Sequence, residues 1–230
     1  MQVVDCAETA NQTRNRSNVA LLLFALGYNV AHHNSLFGAT DLAFGTRRAD
    51  WIDLATPFLV LGPLAWFLSM NRPSQRVGIT AAVGAIVYVE GHGIHLSSNS
   101  IGNAATAETS TATLDVIHLW DEIAGHYIWY AGLALVIASC VVSTRARSID
   151  VPPVLGAVGA GLTGLTWATN GLEGGTAIFS LALAGSAIAA ATLHPRWGLA
   201  RPLLIAGSIA AAVLAGYGAI HGGFPQPSAL

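Results

Sequence analysis

Apolar residues gather in this chain into seven long stretches, parted by short polar or glycine-rich breaks. The stretches cover residues 18–39, 51–70, 77–101, 117–142, 151–176, 177–193 and 202–224. Crossing the hydrocarbon core of a bilayer takes about 20 helical residues, so each reads as a membrane-spanning helix or close to one. The fifth and sixth meet at Gly174-Gly175, where a re-entrant pair is the alternative to two full spans. The expected fold class is therefore all-α, a polytopic membrane helix bundle of about seven transmembrane helices. Residues 1–17 read as a polar cytoplasmic tail, 18–224 as a single transmembrane domain, and 225–230 as a non-cytoplasmic tail. No short apolar run followed by a small-residue cleavage site stands at the start, so the first helix is expected to be retained.

Composition strengthens the membrane reading. The chain is 53% hydrophobic and 10% charged, with mean hydropathy +0.56, whereas roughly 25% of residues are charged in soluble domains. Lysine is absent, and the arginines make no basic stripe, which sets nucleic acid aside as a partner. Cys6 and Cys140 form neither a disulfide framework nor a metal motif with one another.

Arginine placement orients the bundle, because short loops rich in basic residues stay in the cytoplasm. Arg14, Arg16, Arg72, Arg76, Arg145, Arg147, Arg196 and Arg201 fall on the side of the N-terminus; Arg47 and Arg48 complete the ten on the other. The expected topology is N-terminus in and C-terminus out, in a multi-pass protein of a prokaryotic cell membrane.

On that map the titratable residues converge on the outer level. His32 and His33 close the first span, Asp50 and Asp53 open the second, and Glu90, His92 and His95 lie late in the third. His118, Asp121, Glu122 and His126 open the fourth, while Glu173 and His221 end the fifth and seventh; only His194 falls on the cytoplasmic side. Ionisable groups within a bilayer are costly, normally face the protein interior, and mark functional paths.

Helical spacing refines the picture. Tyr88, His92, His95 and Asn99 share one face of the third span. In the run HLWDEIAGH, a regular α-helix would put His118, Glu122 and His126 on one stripe with Asp121 beside it, inside a ~140° arc. Thr166, Asn170 and Glu173 form a shorter polar stripe on the fifth span. Glu90 would point away from His92 unless the flanking Gly91 and Gly93 distort the helix. Asp50 and Asp53 read as helix-capping acids. One of His32 and His33 should face the bundle, since neighbours on a helix point about 100° apart. Trp51, Trp120, Trp129 and Tyr130 read as interfacial anchors and packing residues.

Imidazole and carboxylate without thiolate are the usual ligands of zinc, iron, manganese and copper. The expected metal ligands are His92, His95, His118, His126, His33 and His221. Glu122, Asp121 and Glu90 are the expected catalytic groups. The expected cofactor is a divalent metal, zinc first and iron or copper behind it; haem, held by His92 or His95 facing His118 or His126, is the alternative. No HExxH is present, nor the repeated histidine boxes of membrane desaturases.

In architecture, seven spans with buried His, Asp and Ser near one face resemble the ceramidase and adiponectin-receptor type membrane hydrolases. That resemblance implies a single zinc held by histidines. The last span carries a lone His221 where that family has HxxxH, and no SxxxH precedes His92, so no residue role is transferred.

The leading functional expectation is a metal-dependent membrane hydrolase whose pocket meets a lipid-like or small apolar substrate. Hydrolysis is preferred to oxidation because an outward site is remote from cytosolic electron donors. The competing classes are a haem or metal-binding redox protein without hydrolytic activity, and a proton-coupled transporter using Glu90, Glu122, Glu173 and the histidines as relay groups.

Overall fold

Helix α1 (Gln2–Ala31) opens the computed structural model, which describes residues 2–33, 41–145 and 153–227, without side-chain detail at 2–11, 13, 14 and 153. It takes in nearly all of the stretch expected to be a polar tail. Nothing between residues 2 and 17 breaks a helix, since no glycine or proline occurs there. A small antiparallel hairpin follows, β1 (Asp41–Ala43) with β2 (Thr46–Arg47), turning through Phe44 and Gly45 at positive φ of 53° and 78°.

The rest is helical: α2 (Arg48–Asp53), α3 (Thr56–Asn71), α4 (Gln75–Asn103), α5 (Thr111–His118), a π-helical segment (Leu119–Gly125), α6 (His126–Ser143), α7 (Pro153–Glu173), α8 (Ala177–Leu193) and α9 (Ala200–His221). The all-α class is as expected. Among the described residues four helical runs are long and apolar enough to cross a membrane: Arg48–Asn71, Gln75–Asn103, Thr111–Ser143 and Ala200–His221. Ala177–Leu193 is apolar but shorter. Residues 34–39 of the first expected span, Arg147, and 228–230 of the expected tail lie outside the described residues.

Two cores hold the bundle. One joins α1, α3, α4 and α6 through Phe24, Tyr28, Leu64, Phe67, Tyr88 and Trp129. The other joins α7, α8 and α9 through Ala168, Leu172, Ala184, Ala210 and Leu214. Trp167 packs against both.

The crossing of α4 and α6 is the one that shapes the site. A Cβ at Gly91 would fall on the backbone nitrogen of Trp129, and one at Gly132 on that of Tyr88. Small residues let the two backbones approach in this way, where dispersion and not the hydrophobic effect drives helix association in lipid. The close approach carries His92 and His95 of α4 up to His126 and Trp129 of α6.

Polar residues divide between two poles. Arg72 and Arg76 lie at the α3–α4 turn, and Arg145, Arg196 and Arg201 lie around the α6 end and the α8–α9 turn, where Gly198 N donates to Thr144 O at 3.3 Å. The opposite pole holds the end of α1, α2, the π-helical segment and the α7–α8 turn. A cavity of about 170 Å³ opens on the arginine half among α1, α6, α7 and α9. Phe24, Leu64, Cys140 and Leu199 are among its walls, and no histidine lines it.

Candidate functional site

Trp129 stands at the centre of the histidine pole. Its indole, 4% exposed, lies against four imidazoles: His32 at 4.7 Å between ring centroids, His126 at 4.8 Å, His95 at 5.3 Å and His92 at 5.6 Å. The His92 ring stacks nearly parallel to it, at 14°. These rings come from α4, α6 and the residue after α1, so the cluster is a product of helix packing.

Two of the imidazoles are paired with buried aspartates. Asp53, at the end of α2, accepts from Thr56 Oγ1 at 2.7 Å and meets His92 Nε2 at 3.2 Å through the same Oδ1. All three residues are buried. Asp121, in the π-helical segment, meets His95 Nδ1 through Oδ1 at 2.6 Å. Its backbone carbonyl accepts from His126 Nδ1 at 2.8 Å, a contact that spans five residues.

That spacing follows from the π-helix. Its wider turn closes i→i+5 bonds and shifts the register of everything beyond it, a local device found often at functional sites. It turns Asp121 and His126 inward together and leaves His118 exposed. The stripe His118, Glu122, His126 expected of a regular α-helix is therefore broken.

A carbonyl oxygen can only accept, so the Asp121 carbonyl assigns the His126 proton to Nδ1; the Asn29 carbonyl does the same for His33, 2.7 Å from its Nδ1. The same Asp121 carbonyl lies 3.4 Å from His95 Nδ1 and places its proton likewise. In the neutral ring each of these histidines then offers Nε2 as a base or ligand. His33 Nε2 lies 3.3 Å from Thr169 Oγ1, while His32 Nε2 and Tyr88 Oη are buried without a hydrogen-bond partner.

The remaining expected site residues stand apart. Glu90 is exposed on the side of α4 opposite Tyr88 and His92, because Gly91 and Gly93 leave the helix regular. His118 and His221 are exposed, and the His221 ring lies 4.3 Å from Tyr217. Glu122 is half-buried and accepts from Gln226 Nε2 at 3.1 Å; the same amide donates to the Glu173 carbonyl. His33 sits at the rim, and His32 is the member of that pair that reaches the indole. Asp50 caps α2 as expected, taking Arg47 N at 2.8 Å and Arg47 Nη2 at 3.0 Å.

Asp53 is the residue that sequence reasoning undervalued, being expected only to cap a helix. The signal available for it was its place three residues before Thr56, a donor that holds its carboxylate. Trp129, expected to serve as an anchor or a packing residue, packs in the core with four imidazoles around it. Among the described residues, no three His, Cys, Asp or Glu side chains are placed as ligands to a common metal ion.

Comparison with protein-family models, with curated proteins and with solved structures finds nothing that matches this chain.

Proposed function

We propose that the chain is an integral membrane enzyme, a hydrolase of lipid-like substrates, whose reactive centre is the imidazole–carboxylate cluster around Trp129. In this reading the N-terminus is cytoplasmic and the cluster opens toward the non-cytoplasmic side. The observation that carries it is the arrangement of His95 and His126 about Asp121. One residue holds both rings by Nδ1, leaving each Nε2 free to take a proton from water or return one to a leaving group. General acid–base groups held in this way contribute typically 10²–10⁴-fold to rate. Asp53 orients His92 through the other ring nitrogen, Nε2, with Thr56 fixing the carboxylate. Groups of this kind deep in a membrane protein are costly to bury and rarely serve packing alone. Hydrolysis is preferred to redox chemistry because the non-cytoplasmic pole is remote from cytosolic electron donors.

A second observation favours metal binding at the same place. Metal-ligating histidines usually donate their other ring N–H to a carboxylate or carbonyl, and His33, His95 and His126 all do so. The side chains as they stand do not form a coordination set, so the acid–base reading involves no metal step. Zinc, or iron or copper, would need His32, His95 and His126 to turn toward one point, and would supply a Lewis acid for the substrate carbonyl.

The test is the release of fatty acid or headgroup from mixed lipid by protein reconstituted in nanodiscs, with elemental analysis of the same sample. Release by the wild type that falls at least about 100-fold in Asp121→Asn, with the fold intact, is the expected result. No release from ester- or amide-linked lipids would sink the hydrolase reading. Stoichiometric metal that is lost in His95→Ala and His126→Ala would place the metal in the reaction; activity in metal-free protein would leave the acid–base reading alone.

A further inference from the structure

The cavity of about 170 Å³ among α1, α6, α7 and α9 takes no part in the histidine cluster, and its walls and its mouth differ in chemistry. It runs beside the helices from Asn18 to Ala25 on α1 and from Leu155 to Thr163 on α7, roughly 10 Å at 1.5 Å per residue. Close helix contacts shut its far end. A Cβ at Gly159 would meet Ala25 Cβ at 3.5 Å, and one at Gly164 would fall on the Ala206 carbonyl. Nearer the arginine pole, Val19 of α1 and Leu155 of α7 line the cavity and are themselves exposed. The cavity therefore opens sideways between α1 and α7, to whatever surrounds the bundle.

Water is a poor occupant for it. The wall side chains that carry a hydrogen-bonding oxygen are Asn18, at the arginine end, and Thr163, whose Oγ1 already donates to the Gly159 carbonyl at 2.9 Å. Apolar cavities of this size stay dry, and an unfilled one forfeits the dispersion contacts of its lining. In a bundle embedded in lipid, the medium at such an opening is hydrocarbon, and an acyl chain enters without desolvating a polar group. The mouth has the opposite character. Arg16 lies two residues before Asn18 on α1, Arg201 directly before Pro202 on α9, and Arg145 one turn beyond Val141 on α6; Asn18, Pro202 and Val141 all line the cavity. The three arginines are exposed, and among the residues described with side chains no aspartate or glutamate stands at this pole. Basic pockets between helices at a membrane face hold lipid phosphates, and guanidinium groups match phosphate oxygens in a fork.

We infer that this cavity is the seat of an anionic phospholipid, with one acyl chain between α1, α6, α7 and α9 and the headgroup phosphate among Arg16, Arg145 and Arg201. The lipid lies where α1 and α6, of one core, stand off from α7 and α9, of the other, and so ties the two cores together. The site is independent of the histidine cluster and stands whether or not that cluster is hydrolytic. It requires only that the arginine pole lie at a membrane face, on either side.

Native mass spectrometry of the full chain, released from detergent with phosphatidylglycerol or phosphatidylcholine of equal chain length, counts the bound lipid. One phosphatidylglycerol per chain is expected at concentrations where phosphatidylcholine is not retained. Arg16→Gln with Arg201→Gln should weaken that binding about thirtyfold, the weight of two basic side chains beside anionic lipid. Arg72→Gln with Arg76→Gln, the same loss of charge at the α3–α4 turn, should leave it unchanged. Glycerol 3-phosphate, which has the headgroup chemistry without the chains, should not bind, and Ala160→Phe, which fills the cavity from α7, should abolish retention of the lipid. Equal retention of the two lipids, or equal weakening by the two arginine pairs, would overturn the anionic site. Full binding by folded Ala160→Phe protein would overturn the acyl-chain seat. So would glycerol 3-phosphate binding as tightly as the lipid, a comparison that leaves the core unaltered and decides the matter should Ala160→Phe fail to fold.

Discussion

The carboxylate of Asp53 illustrates how much rests on single atoms in this protein. Its Oδ1 receives both Thr56 and His92, so Asp53→Asn removes the charge that orients the imidazole while keeping the volume. Activity in the nanodisc assay should fall about 100-fold with little change in thermal midpoint. Thr56→Val is the milder counterpart, taking one hydrogen bond of about 1 kcal/mol, and should lower activity less than Asp53→Asn. Gly174 makes a different demand. A Cβ there would enter the His126 ring, so Gly174→Ala must push the imidazole or its helix aside, at about 1–3 kcal/mol of overpacking. Thermal unfolding of the purified variant checks the magnitude, and activity shows whether His126 has moved.

Helices α4 and α6 act as a pair, joined by glycines where their backbones touch. Gly132→Ala should destabilise the protein more than Gly185→Ala on α8, where an added methyl meets nothing within 4 Å. The π-helical segment offers a sharper test, since it holds one residue more than a regular helix needs. Deleting Ile123, which is exposed, should let Leu119–Gly125 relax to a regular α-helix and rotate His126 relative to Asp121. Circular dichroism should then show helicity retained, while activity falls at least about 100-fold. A deletion variant with full activity would mean that the register shift has no part in the chemistry.

Across the bundle, the distribution of arginine makes the orientation testable. A reporter fused after Leu230 should be active only in its non-cytoplasmic form, because short basic loops remain inside. Cytoplasmic activity of that fusion would reverse the orientation and place the histidine pole next to the cytosol. The preference for hydrolysis would then lose its support, since cytosolic electron donors would be within reach.

Helix content, membrane-compatible segments and the clustering of histidines at one end were legible in the chain, because each depends on local periodicity and on the cost of charge in hydrocarbon. His92 and His95 were found by the same logic, lying on the inward face of a helix that stays regular. His126 and Asp121 turn inward together, but with other companions than a regular helix would give them. Helical-wheel geometry assumes one twist throughout, and a single π-helical turn carried His118 and Glu122 out of the stripe. Asp53 and His32 escaped because their partners are distant in sequence, and a capping acid looks the same as one that reaches across to another helix. Trp129 needed the fold for its surroundings, since the glycine-permitted contact of α4 with α6 brings His92 and His95 to the indole and the end of α1 adds His32. Residue type and spacing thus determine which faces are polar; the approach of the helices and one change of helical register decide which of those faces meet.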